Sequence, residues 1–153
     1  MQILLALIIL VGCGSNNPVN IKRADAKIEP DLQGFYDEFL EYSREHGGIV
    51  RSILHTMTYV DSIENTDNSL IVQGECAGRS ISIRRIPRDD GIPWDRVALR
   101  TVVFHELGHC LLLLEHTAMG SGQIMDPVMQ MSPKYMEYNW DELVRYEFAS
   151  GAK

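Results

Sequence analysis

The stretch from Trp94 to Leu114 constrains the fold more than any other. Its composition predicts a helix entered after Pro93, and from Val97 to Leu114 it is apolar nearly all the way round. A helix with no polar face belongs in a core. Yet His105, Glu106 and His109 sit inside it, and burying a carboxylate and two imidazoles without partners costs several kcal/mol. Something must compensate them. At about 100° per residue, His105 and His109 fall about 40° apart and one turn along the axis, so a single tetrahedral cation can meet a ring nitrogen from each. Zinc is the natural occupant. The plainer alternative is a pair of core histidines and a glutamate satisfied by local hydrogen bonds.

The string His105-Glu106-Leu107-Gly108-His109 has the form H-E-x-x-H, in which two histidines bind zinc and the glutamate is the general base of a metallopeptidase. The segment resembles the metzincin zinc peptidases. In that family the motif extends as H-E-x-x-H-x-x-G-x-x-H or D, the glycine letting the chain leave the helix and return the last ligand. Here Leu112 stands at the glycine position, Glu115 at the last-ligand position and His116 one residue beyond. That form is similar to a variant in some small bacterial lipoprotein peptidases, H-E-L-G-H-C with a ligand histidine one residue late, which Cys110 and His116 both fit. The resemblance implies His116 as third ligand, Glu115 as the alternative and, in a gluzincin-like arrangement, Glu142 as a third choice. An unbroken helix would carry His116 about 16 Å along its axis, too far for one ion. A break near Leu113 to Glu115 is therefore expected, although no Gly or Asn marks it.

Downstream, Gln123-Ile124-Met125-Asp126-Pro127 resembles the metzincin Met-turn, which implies Met125 as an apolar floor beneath the metal. The same resemblance implies a tyrosine able to hydrogen-bond the tetrahedral intermediate, with Tyr135 and Tyr138 as candidates.

Around the central helix, Pro30 and Asp31 start an amphipathic helix carrying Leu32, Phe35, Phe39 and Tyr42 through Glu45. Residues 52–60, 69–73 and Ser80 to Ile86 read as strands, the last closed by Arg84 and Arg85 in the manner of an exposed edge. Asn139 is expected to cap a closing helix bearing Trp140, Leu143, Val144 and Phe148. The expected fold is α+β: a small metzincin-like peptidase domain with a mixed sheet of three to four strands packed on a long active-site helix, flanked by N-terminal and C-terminal helices.

The 153 residues suffice for one domain, and 14 Lys plus Arg against 21 Asp plus Glu leave a net charge of -7. That balance gives no basic footprint for nucleic acid. Ile3 to Val11 are nine consecutive apolar residues, long enough for a signal-peptide core and about half of a membrane span. Leu10-Val11-Gly12-Cys13 resembles the lipobox of bacterial lipoproteins. Residues 1–12 thus read as a signal peptide, Cys13 as the lipidated residue, 13–30 as a flexible tether and 31–153 as the peptidase domain. Gly14 after the cysteine implies the periplasmic face of the outer membrane if the host is Gram-negative. Cys76 and Cys110 could form one bridge in an exported domain, but we favour two buried thiols.

The expectation is a monomeric zinc-dependent endopeptidase, lipid-anchored at a bacterial envelope, acting on peptide or protein. Glu106 would activate water, and an extended substrate would pair along Ser80 to Ile86. The alternative is a catalytically silent envelope lipoprotein that keeps the fold to bind a metal or a partner.

Overall fold

A computed structural model describes residues 26–64, 72–86, 93–128 and 131–151. The signal peptide, Cys13, most of the tether and most of the strand expected at 69–73 lie outside these residues. Among the described residues no helix is long and apolar enough to cross a membrane. The chain runs β1 (Lys27–Ile28), α1 (Pro30–Glu45), β2 (Thr56–Val60), β3 (Gly74–Ala77), β4 (Ser80–Arg84), α2 (Arg96–Leu107), a π-helical turn (Gly108–Leu112), α3 (Pro133–Tyr138) and α4 (Trp140–Gly151). This is an α+β fold on a four-stranded mixed sheet.

The sheet order is β1-β2-β4-β3, with β1, β2 and β4 parallel and β3 antiparallel to β4. Two expectations change here. The end of the stretch read as a tether belongs to the sheet, because Lys27 and Ile28 pair with Thr56 and Met57. And β4 is not an edge: it lies between β2 and β3, so the edge beside the site is β3. The Ser-Ile alternation of β4 reflects one buried face, with Ile81 and Ile83 fully enclosed. Arg84 and Arg85 mark the end of that strand, where Arg85 meets Asp61, and not a free side. The strand expected over 52–60 begins at Thr56, and His55 precedes it, its N–H donating to Arg79 and its carbonyl accepting from Lys27.

Helix α2 is the core element its composition demanded. Leu99, Val102, Val103, Phe104 and Leu107 are all buried. Asp95 caps it, its carboxylate accepting from the N–H groups of Val97 and Ala98. Phe104 packs edge-on against Phe39 of α1 at 5.2 Å and Trp140 of α4 at 4.8 Å. Arg100 ties the same three helices from the rim, pairing with Glu38 and lying 3.7 Å over the Trp140 ring. The closing helix forms as expected with Asn139 at its N-cap position, where the Asn139 carbonyl accepts from Glu142 and Leu143, but the side chain turns back to donate to the Tyr135 carbonyl and so finishes α3.

Cys76 and Cys110 form a disulfide, against the expectation of two separate thiols. Sequence separation hid the reason. Cys76 lies on the face of β3 that looks at the π-helical turn, and the two Cα atoms are 5.7 Å apart, within bridging range.

Candidate metal centre

The helix ends where a break was needed, by a route the sequence did not advertise. After Leu107 the α-helix widens into the π turn Gly108–Leu112, and Leu113 then adopts the left-handed conformation, φ 59° and ψ 38°. The N–H groups of Leu113 and Leu114 both return to the Gly108 carbonyl. A π turn holds one more residue than an α turn. The wider turn puts the left-handed residue at Leu113 and brings His116 back beside His105 and His109.

Three ring nitrogens meet as a result. The Nε2 atoms of His105, His109 and His116 lie 3.1 Å, 3.1 Å and 3.2 Å from one another. Among the described residues, these three histidines form the group able to hold a metal ion. Glu115 and Glu142 do not belong to it; both are exposed, Glu142 on the outer face of α4. Backbone carbonyls set the tautomers. His105 Nδ1 donates to the Ile124 carbonyl at 2.7 Å and His109 Nδ1 to the Leu114 carbonyl at 2.6 Å. A carbonyl only accepts, so each Nδ1 carries the proton and each Nε2 presents a bare lone pair. Two such lone pairs facing each other at 3.1 Å repel unless a cation lies between them. Nitrogens bound tetrahedrally at about 2.0–2.1 Å stand about 3.3–3.4 Å apart, and the observed triangle is only slightly tighter. The three residues fit a cation.

Burial tunes the same groups. It pushes the His105 imidazole down to about 4, and lowers His109, with the accepting carbonyls opposing the shift only in part. Both rings are therefore neutral near pH 7, as ligands must be. Glu106 is pushed up to about 8, chiefly by burial; the Cys76 N–H it accepts from lowers it, and the nearby Glu75 raises it. Glu106 and the three histidines line one cleft of about 530 Å³, whose walls are Gly74 to Cys76 on one side and Asp126 to Val128 on the other.

Met125 is buried in a tight turn closed by Asp126 N–H donating to the Gln123 carbonyl. It packs beneath the turn that carries His109: a Cβ on Gly108 would fall 2.7 Å from its Sδ. The turn also supplies the Ile124 carbonyl that orients His105, and its Met125 carbonyl accepts from Thr117, next to His116. Tyr135 and Tyr138 stand differently. They are exposed on α3, 50% and 79%, and neither lines the cleft.

Several participants escaped sequence reasoning. Gly74 lets β3 approach so closely that a Cβ would fall 2.8 Å from Glu106 Oε1. Asp126, buried, accepts from the N–H groups of Gly122 and Val128 and so holds the cleft wall. Glu147 of α4 is buried against the back of Gly108. The Asx-turn chemistry of Asp126-Pro127 was the one local signal available. No protein-family model, no curated protein and no solved structure matches this chain.

Proposed function

We propose that this chain is a zinc-dependent endopeptidase of metzincin-like build. The observation that carries it is the triangle of Nε2 atoms, with bare lone pairs on His105 and His109, and the buried carboxylate of Glu106 beside it in one open cleft. His105, His109 and His116 would hold the ion; a set of three imidazoles suits zinc and leaves a fourth position open. Bound there, zinc supplies Lewis acidity, polarising a peptide carbonyl and making water nucleophilic near neutral pH.

The rest is the work of the chain's own residues. Glu106, in its ionised form, accepts a proton from the attacking water and delivers it to the departing amine. The Ile124 and Leu114 carbonyls keep the imidazoles in the liganding tautomer. Among the described residues β3 offers the substrate an edge: its Gln73 end is tied to Arg84 of β4, and alternation turns the backbone groups of Gly74 and the Cys76 carbonyl outward, the Cys76 N–H being taken by Glu106. An extended peptide pairing there would be bound by its main chain, with little demand on sequence. The disulfide supports an exported location, in keeping with an envelope lipoprotein anchored through Cys13 and acting as a monomer.

Metal analysis of the purified protein should find about one zinc per chain, and an unfolded protein substrate should be degraded. Glu106→Ala should keep the metal and lose the cleavage. Full zinc occupancy without Glu106-dependent proteolysis would instead favour a silent metal- or partner-binding lipoprotein.

A further inference from the structure

Two contacts hold the carboxylate of Glu106 from outside its own helix, and both come from β3. The Cys76 backbone N–H donates to it, and Gly74 brings the strand against its side chain. β3 is weakly secured for such a task. It has four residues and, among the described residues, pairs with β4 alone, and edge strands of that length open readily. The disulfide from Cys76 is the covalent tie between this strand and the helix that carries the site. Cys110 directly follows His109 in the π turn. The bridge thus joins the residue that orients the base to the neighbour of a metal ligand.

We infer that the Cys76–Cys110 disulfide is a positioning device for Glu106, required for proton transfer but not for holding the metal. The inference rests on Glu106 being the general base. The histidines have their own orienting partners in the Ile124 and Leu114 carbonyls, neither of which belongs to β3. Opening the bridge therefore frees β3 and leaves the nitrogen triangle in place. Without the Cys76 N–H, the Glu106 carboxylate loses its one fixed direction and swings away from the line between water and leaving amine.

The test compares the zinc-loaded full chain in three states: oxidised, reduced by a water-soluble phosphine, and as the Cys76→Ser/Cys110→Ser double variant. The phosphine takes the oxygen of one water, breaks the Sγ–Sγ bond and leaves two thiols. All are measured well below their melting temperatures. Amide hydrogen exchange over Gly74–Ala77 needs no activity, and should speed up at least about tenfold when the bridge opens. Glu106→Ala with the bridge intact should raise exchange at Cys76 alone. Hydrolysis of a quenched-fluorescent peptide should show kcat lower by about 10- to 100-fold, KM within about twofold, and zinc content unchanged. Unaltered exchange over β3, or unaltered kcat, overturns the inference. Zinc loss in step with bridge opening overturns it too, because the bridge would then be a scaffold of the metal site. An oxidised chain that never cleaves defeats the peptidase reading instead, and the exchange data still decide whether the bridge holds β3 on Glu106.

Discussion

Glu106 and Glu147 are two carboxylates buried to nearly the same depth, 5% and 4% exposed, on opposite sides of one helix. Burial raises the pKa of both. Their surroundings differ in kind. Glu106 has a fixed donor in the Cys76 N–H and an open cleft in front of it. Among the described residues neither oxygen of Glu147 has a hydrogen-bond partner, and Oε1 would lie 2.7 Å from a Cβ placed on Gly108. A buried acid by itself therefore says nothing about catalysis. Access and a directional donor are what suit Glu106 to the proton transfer proposed for it, and Glu147 has neither.

Variants at each side can break that contrast, and the largest effect belongs to the front. Glu106→Gln should lower kcat by about 10²- to 10⁴-fold with zinc retained, whereas Glu147→Gln should leave kcat nearly unchanged; equal losses would erase the distinction. Next comes the ligand set: His116→Ala should weaken zinc binding by more than about 100-fold, beyond what loss of an outer hydrogen-bond partner does, while Glu115→Ala should not, as competition with a chromogenic chelator would show.

At the back, Gly108→Ala should destabilise by about 1–3 kcal/mol, the range for overpacking, since the new methyl meets Glu147 Oε1 and Met125 Sδ. Adding Glu147→Ala should recover part of that loss in a denaturation double-mutant cycle. Glu147 also gives a pH signature. Its folded pKa lies well above 4.5, so above 4.5 the unfolded chain has shed a proton that the folded chain keeps. Stability therefore falls as pH rises toward the folded pKa. Glu147→Gln should remove this, raising Tm by about 2–4 °C at pH 8 with no gain near pH 4. The smallest effect is at Leu113, which is left-handed and 58% exposed: Leu113→Gly should gain about 0.5–1 kcal/mol by relieving the Cβ clash, net of glycine's own entropy.

Which parts of this were legible in the sequence follows from how local their causes are. The burial of α2 and the shared face of His105 and His109 depend on a single helical period, and both are as expected. So does the amphipathic α1 with Leu32, Phe35 and Phe39 inside. The position of β4 within the sheet was misread because strand neighbours are chosen by contacts far along the chain; the same serines and isoleucines would suit an edge with one wet face. The disulfide was missed for a similar reason. The choice between Glu115 and His116 turned on one backbone angle at Leu113, for which a leucine gives no warning. Asp126 has only its local Asx-turn signal and Glu147 has none, because both take their places through the packing of the turn and α4 against the segment that carries the histidines.

The π turn has a consequence for how such sites tolerate change. Ligand spacing counted along the chain is eleven residues from His105 to His116, but the metal senses only where the nitrogens end up. A turn that widens by one residue absorbs an added residue along the chain while the three nitrogens stay together. Length variation just after the second histidine is thereby uncoupled from coordination geometry, and one helical turn serves the site as a mechanical buffer.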